Sequence, residues 1–308
     1  MVIRTFQIMR SWPGAIAATL VGVVVLGPLL AVIWWAGGVF RLEPADWSAA
    51  RFTVVQAMVS AVISVALAIP VARALARRKF IGRSILITVL GAPFILPVIV
   101  AVMGLLAVFG RNGVLNDVLR LVGLPEIQVY GFHGVILAHV FLNLPLATRM
   151  ILQGWQSIPA ERFRLAASLG MGAGPIMRRL ELPMLRAVLP GAFLVIFALC
   201  LSSFAVALTL GGGPRATTVE LAIYQAFRYD FDLGRAALLA IVQVILVGTT
   251  ALVAVRLSRA DGLGAGMARG IQRWDSAHRG LLIQDGFAIV GAAAFLVLPL
   301  AMIVAKGG

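Results

Sequence analysis

The segment from Gly154 to Arg186, GWQSIPAERFRLAASLGMGAGPIMRRLELPMLR, is a polar stretch between two long apolar runs. Pro159 suits a first helical turn, and Gly170 is placed to end the helix that follows. A second helix is expected to begin at Gly174-Pro175 and to end at Pro183. We therefore expect two short helices, joined by a glycine-rich bend, outside the apolar part of the protein.

Long apolar runs without Asp, Glu, Lys or Arg surround this segment. Of the 308 residues, 61% are hydrophobic and 12% are charged, whereas a soluble domain has about 25% charged residues. Seven runs are near or above the ~20 residues that a spanning helix needs. They cover residues 11–40, 52–72, 84–110, 127–148, 187–214, 236–255 and 286–305. The sequence therefore predicts an all-α polytopic membrane protein with seven spans.

Basic residues are unevenly distributed between the connecting segments. With the N-terminus in the cytoplasm, 18 of the 26 Lys and Arg residues lie on the cytoplasmic side, which has a net charge of +13 against +1 outside. Because cytoplasmic loops carry the excess of Lys and Arg, this predicts a multi-pass protein of a bacterial inner membrane with a cytoplasmic N-terminus. The charge is spread over four membrane-flanking segments. This distribution argues against nucleic acid as a partner and favours anionic membrane lipid.

Few polar side chains lie inside the predicted spans. His139 and Asn143 share one helical face and are candidates for the wall of a solute path. Hydrogen bonding between helices is the alternative. The runs contain no carboxylate, which proton-coupled carriers usually have, so a source of energy outside the membrane is favoured. The single cysteine, Cys200, offers neither a disulfide framework nor a metal cluster, and no catalytic or metal site is predicted.

One face of the first short helix is expected to be exposed to water and to contact another protein. Its small and apolar members recur at i, i+3, i+4 and i+7. They are Phe163, Ala166, Ala167 and Gly170. An amphipathic helix resting on the membrane surface is the alternative. The chain has no Gly-x(4)-Gly-Lys-Ser/Thr phosphate loop of its own, so a nucleotide would bind to a separate subunit.

The spacing of this segment resembles the EAA loop of the permease subunits of ABC importers, Glu-Ala-Ala-x(3)-Gly-x(9)-Ile-x-Leu-Pro. The matching residues are Ala166, Gly170, Leu182 and Pro183, with Leu180 in the Ile position. Arg164 and Leu165 replace the Glu and the first Ala, and Glu161, one turn earlier, is the candidate substitute for that Glu. The resemblance implies that the loop at 154–186 binds a cytoplasmic ABC ATPase dimer. It also implies that ATP and Mg bind to that partner and that this chain binds no cofactor.

A second resemblance, to the thiamine permeases of the MetI-like (type I) family, covers residues 202–243. It is carried by SSFA at 202–205, LGGGPRATT at 210–218, ELAIYQ at 220–225 and YDFD at 229–232. It implies a MetI-like transmembrane unit of six helices that forms, with a second permease unit, fused or dimeric, a path for thiamine or its phosphate esters. It also implies a periplasmic or other extracytoplasmic binding protein that delivers the solute.

The same stretch contains the other candidates for the solute path or its gate. They are Ser202, Ser203, Phe204, Gly211, Gly212 and Gly213. The glycines allow a tight turn whose backbone N–H groups face a solute or a partner, and a sharp turn that returns the chain is the alternative. Three other functions are left open: a permease for iron(III) or another small solute, a secondary carrier, and a membrane scaffold that transports nothing.

The end of the chain repeats a short pattern from its beginning. The residues from Pro28 to Ile33 correspond to those from Pro299 to Val304 at an offset of 271. With the Gly- and Arg-rich stretch before the last span, this predicts three parts. They are a first permease unit at 1–256, a cytoplasmic linker at 257–281, and the first helix of a second, incomplete unit at 282–308.

Overall fold

A computed structural model describes residues 2–35, 42–90, 96–211, 213, 216–257 and 279–307. Within these ranges the regular structure is helical, and six stretches are long and apolar enough to cross a membrane. They are Pro44–Arg77, Val98–Leu121, Phe132–Gln156, Ala173–Leu201, Leu233–Leu257 and Gly280–Ala305. The seventh predicted span falls in the first helix, where the apolar stretch Gly14–Pro28 is shorter. The prediction of an all-α polytopic membrane protein is confirmed.

The α-helices of the described residues follow one another in chain order. They are α1 (Val2–Trp35), α2 (Pro44–Arg77), α3 (Arg83–Val89), α4 (Val98–Phe109), α5 (Val114–Leu121), α6 (Phe132–Gln156), α7 (Ala160–Ser168), α8 (Ala173–Ile176), α9 (Leu182–Leu201), α10 (Phe204–Leu210), α11 (Val219–Arg228), α12 (Leu233–Leu257) and α13 (Arg279–Gly307). A π-helical turn, Met177–Glu181, joins α8 to α9. Most of the predicted linker, residues 258–278, lies outside the described residues.

Two of the predicted spans are not continuous helices. In the span predicted at 84–110, α3 ends at Val89 and α4 begins only after Pro97, which has no N–H to donate. The candidate span there is Val98–Leu121, which includes α4 and α5. In the span predicted at 187–214, α9 ends at Leu201 and α10 begins at Phe204. Absence of charge predicts burial in lipid, but it does not predict where the backbone leaves the helical conformation.

Helix α2 lies at the centre of the bundle and packs against α6, α9 and α13. Small side chains are fully buried along it, including Ala57, Ala61, Ala68 and Ala72. Lipid tails are as apolar as the helices, so membrane helices associate through close packing rather than the hydrophobic effect. The alanines allow this close packing, and they place the polar side chains of α2 against those of α6 and α9.

Helix α13 packs against α4 and α2. Near its start, the Asp285 carboxylate accepts hydrogen bonds from Arg77 at 3.1 Å and from Arg78 at 2.8 Å. These ion pairs hold the helix predicted to begin a second unit against the C-terminal end of α2.

Gly104, on α4, lies at a close contact with α13. A Cβ atom added there would lie 2.6 Å from the carbonyl oxygen of Pro299 and 2.7 Å from Cδ1 of Ile303. Gly104→Ala should therefore push the two helices apart and destabilise the protein by about 1–3 kcal/mol, seen as a lower Tm in detergent. Gly248→Ala is the matched control, since a Cβ atom there meets nothing within 4 Å. Equal Tm values for the two variants would contradict this packing.

Candidate coupling loop and solute path

The glycine bend of the loop at 154–186 has the backbone that the sequence predicts. Helix α7 ends at Ser168, and Gly170 has a φ of +62°, which favours glycine. The N–H of Met171 donates to the carbonyl of Ala166 at 2.9 Å, and that of Gly170 to Ala167 at 2.9 Å. This is a Schellman C-cap, which satisfies the carbonyls at the end of the helix. Gly170 therefore fixes the angle between α7 and the chain that follows.

The second short helix differs from the prediction, because Pro183 does not end it. Helix α8 begins at Ala173 and continues through the π-helical turn into α9, giving one helical stretch, Ala173–Leu201. In the turn, the N–H of Leu182 donates to Met177, five residues earlier. Pro183 is the second residue of α9 and has no N–H to donate, yet the helix continues past it. The loop is thus joined directly to a membrane-spanning helix.

The exposed face of α7 also differs from the prediction. Phe163 and Ala166 are buried and belong to the main hydrophobic core, so the expectation that they face water is wrong. Ala167 and Gly170 are exposed, as are Glu161 and Pro183, while Leu180 and Leu182 are half-buried. Two exposed leucines of this segment have no role in the sequence-based prediction. They are Leu165 on α7, with 61% of its surface exposed, and Leu169, the C-cap residue of α7, with 62%.

An ion pair connects the loop to the central helix. Nε of Arg73, near the C-terminal end of α2, donates to the Glu181 carboxylate at 2.8 Å, and the Glu181 side chain is fully buried. Glu181 lies in the π-helical turn, in a position that the EAA pattern leaves unspecified. A buried carboxylate is costly without a cationic partner, so this contact holds the turn against α2.

His139 and Asn143 lie between helices rather than on an open surface. Both are buried: Nδ1 of His139 lies 3.3 Å from the Ser60 hydroxyl, and the Asn143 amide donates to the Cys200 sulfur at 3.3 Å. These contacts connect α6 to α2 and to α9. The geometry favours hydrogen bonding between helices, which sequence analysis left as the alternative to a path wall.

The break between α9 and α10 is held by two glutamines from other helices. Ser202 and Ser203 have φ and ψ values outside the helical region. Nε2 of Gln56 donates to the carbonyl of Cys200 at 2.9 Å, and Nε2 of Gln243 donates to that of Leu201 at 3.0 Å. Irregular backbone at membrane depth requires such internal partners.

Gln56→Leu should destabilise the protein by about 1–3 kcal/mol, because the buried carbonyl of Cys200 loses its amide donor. The measurement is the Tm of the purified protein in detergent. Gln153→Leu on α6 is the control, since Gln153 is exposed. A Tm for Gln56→Leu that matches the control would show that the break does not depend on this hydrogen bond.

Glu220, on α11, lies next to the break between α9 and α10. Nε2 of Gln243 donates to its carboxylate at 3.3 Å. Burial raises the pKa of the Glu220 carboxyl, and hydrogen bonds from the backbone amides of Phe204 and Ser203 and from Gln243 lower it in part. The ring of Phe204 lies 5.3 Å from that of Tyr224, between centroids. Of the candidates at the break, Ser203 and Phe204 are therefore close to this carboxylate.

The glycine stretch after α10 is described in part. Gly211 is buried, and a Cβ atom there would lie 2.9 Å from the carbonyl oxygen of Ala216. Gly213 is exposed with a φ of +135°, whereas Gly212 lies outside the described residues. The N–H of Gly131, just before α6, donates to Leu210 at 2.7 Å. Because it has no side chain, Gly211 allows the backbone after α10 to approach the backbone at Ala216 closely. This contact lies at the end of α10 that is farther from the break.

The bundle and its loop define a class of protein. Residues 64–260 match the family model of the binding-protein-dependent transport system inner membrane component, and the chain belongs to this family. The MetI-like fold that the resemblance at residues 202–243 implies is confirmed.

Similar proteins with a recorded function include three thiamine transport system permease proteins, all called ThiP. The protein of Salmonella typhimurium is 42% identical and that of Escherichia coli 41%, each over the whole of this chain and 58% of the relative. That of Brucella abortus is 38% identical over 95% of this chain and 54% of the relative. The chain thus spans little more than half the length of these relatives.

Two solved structures share the fold. One is a bacterial alginate ABC transporter in complex with an alginate pentasaccharide-bound periplasmic protein, with a TM-score of 0.69 and 15% identity over 82% of this chain and 96% of that chain. The other is a bacterial ABC transporter involved in the import of the acidic polysaccharide alginate, with a TM-score of 0.66 and 16% identity over 83% of this chain and all of that chain. At these identities the similarity concerns the fold alone.

Proposed function

We propose that this chain forms the first permease unit of an ATP-driven importer of thiamine or its phosphate esters. The observation that carries the proposal is the 42% and 41% identity to thiamine transport system permease proteins across the whole chain. The similarity to these relatives covers the whole of this chain, so the compared segment includes the helix break. A second permease unit, fused or separate, would complete the path.

In this proposal the loop at 154–186 binds a cytoplasmic ABC ATPase dimer, which binds ATP and Mg. Leu165, Leu169 and Ala167 offer an apolar surface to that partner. The helical stretch Ala173–Leu201 joins the loop to the break between α9 and α10, and the Arg73–Glu181 ion pair ties the same turn to α2. Closure of the ATPase dimer would thus move α9 and α2 together.

The proposed orientation places the N-terminus and the loop in the cytoplasm of a bacterium, across the inner membrane. It rests on the excess of basic residues, with +13 on that side and +1 on the other. The helix break, Glu220 and Gly211 then lie towards the outer side, where a periplasmic binding protein would deliver the solute.

Transport by the reconstituted system tests the proposal. The complete permease, its ATPase and its binding protein are placed in proteoliposomes with ATP on the side of the loop, and radiolabelled thiamine uptake is measured. Uptake that requires ATP and stops without the ATPase is expected. Uptake that persists without the ATPase and collapses with the proton gradient would identify a secondary carrier. Uptake of iron(III) in place of thiamine would identify a permease for another solute. The absence of any transport would identify a membrane scaffold.

A further inference from the structure

Glu220 differs from the fully buried carboxylates of the described residues. Those carboxylates are paired with arginine: Asp46 with Arg235, Glu181 with Arg73, and Asp285 with Arg77 and Arg78. Glu220 is half-buried, and the groups that donate hydrogen bonds to it are neutral amides. Among the described residues it forms no ion pair. Its negative charge is therefore not balanced by a basic side chain in the described part of the chain.

Aromatic rings lie next to this carboxylate. Tyr224 follows Glu220 by one helical turn, which brings their Cβ atoms to about 6 Å. The rings of Phe204 and Tyr224 are tilted at 59° with their centroids 5.3 Å apart, and the Tyr229 ring lies 5.8 Å beyond Tyr224. Phe204 and Tyr224 are half-buried, so part of each ring can be reached from outside the chain. Aromatic faces attract cations, as the carboxylate does.

Two buried polar atoms beside the carboxylate have no hydrogen-bond partner among the described residues. They are Oγ of Ser203 and Oε1 of Gln243. Both can accept a hydrogen bond from an N–H group. Burial of the Glu220 charge is unfavourable, as the raised pKa of its carboxyl indicates, and a bound cation would offset this cost. The carboxylate, the aromatic rings and the two free acceptor atoms therefore all favour a cationic aromatic ligand with N–H groups.

We propose that Glu220, Phe204 and Tyr224 form a recognition site for an aromatic cation at the helix break between α9 and α10. The carboxylate balances the positive charge of the ligand, and the two rings contact its aromatic part. The inference rests on the proposed function, because thiamine is such a cation. It goes further by assigning the recognition of the solute's charge to one side chain of the permease.

The test is equilibrium binding of radiolabelled thiamine to the complete permease–ATPase complex, without its binding protein. Glu220→Gln keeps the shape of the side chain and one acceptor oxygen, but it removes the charge and replaces the other oxygen with an NH2 donor. We expect it to raise the Kd at least tenfold, which is about 1.4 kcal/mol. The rate of ATP hydrolysis should stay within about twofold of wild type. Glu126→Gln is the control, because Glu126 is exposed and paired with Arg120, and its Kd should not change.

Tyr224 gives a second test that leaves the carboxylate in place and does not depend on how Glu220→Gln folds. Tyr224→Phe keeps the ring and should bind thiamine as wild type does, whereas Tyr224→Leu should raise the Kd about three- to tenfold. Equal affinities for these two variants would overturn the role of the ring.

Two other outcomes would overturn the site. They are an unchanged Kd in Glu220→Gln and no thiamine binding to the wild-type complex. An unchanged Kd together with a loss of ATP hydrolysis would mean that Glu220 only holds the helix break. If the wild type still imports thiamine in proteoliposomes, the proposed function stands and only the site fails. A wild type that imports no thiamine overturns both.

Discussion

Reversing either charge of the Arg73–Glu181 pair should abolish most ATP-dependent uptake. Arg73→Glu and Glu181→Arg each bring two like charges together where the Glu181 side chain is fully buried, at a cost of about 3–5 kcal/mol. The π-helical turn would then separate from α2, and uptake should fall more than tenfold. The double variant, Arg73→Glu with Glu181→Arg, should recover part of the loss because opposite charges face each other again.

The exposed Arg149, on α6 and outside the loop at 154–186, provides the control. Arg149→Glu makes the same change of charge as Arg73→Glu and should leave uptake within about twofold of wild type, since an exposed charge contributes little. The measurement is ATP-dependent uptake by the complete transporter in proteoliposomes. Uptake at the wild-type level in both single reversals would refute the role of this ion pair in coupling.

Gly170→Asp should uncouple ATP hydrolysis from transport while membrane insertion is retained. The φ of +62° at Gly170 is strained for a residue with a side chain, and the glycine is exposed where a partner would approach closely. We expect the stimulation of ATP hydrolysis by the loaded binding protein to fall at least tenfold. The added side chain meets nothing within 4 Å inside the chain, so the fold itself should survive.

Gly172→Asp is the matched control for this experiment. It adds the same charge two residues away, in open space and at a φ of −75° that any residue adopts. Its stimulation should stay within about twofold of wild type. If the two variants are stimulated equally, a coupling role for Gly170 is excluded.

The sequence predicts those features of the loop that depend on local backbone preferences. Gly170 ends α7 because a glycine readily takes the left-handed conformation there. Helical spacing correctly places Phe163 and Ala166 on one face, but spacing does not say whether that face points to the core or to water. The continuation through Pro183 depends on a π-helical turn, which changes the hydrogen-bond register and has no sequence signal of its own.

The helix break depends on contacts between distant parts of the chain. Gln56 reaches the carbonyl of Cys200 from 144 residues away, and Gln243 reaches that of Leu201 from 42 residues away. Both glutamines stand out as polar residues in apolar runs, but their partners are backbone atoms that any sequence has. The i, i+4 pair of Glu220 and Tyr224 is visible in the sequence, and only the fold shows that it faces Phe204.

The unbroken helical stretch Ala173–Leu201 has a mechanical consequence. Its 29 residues extend about 43 Å at 1.5 Å per residue. Pro183 and Pro190 each remove one backbone hydrogen bond, yet the helix continues past both. A tilt of about 5° about its N-terminal end would displace its C-terminal end by about 4 Å, which exceeds the width of a water molecule. If the loop binds an ATPase as proposed, a small rotation there becomes a sideways shift at the far end that is large enough to admit or exclude a solute.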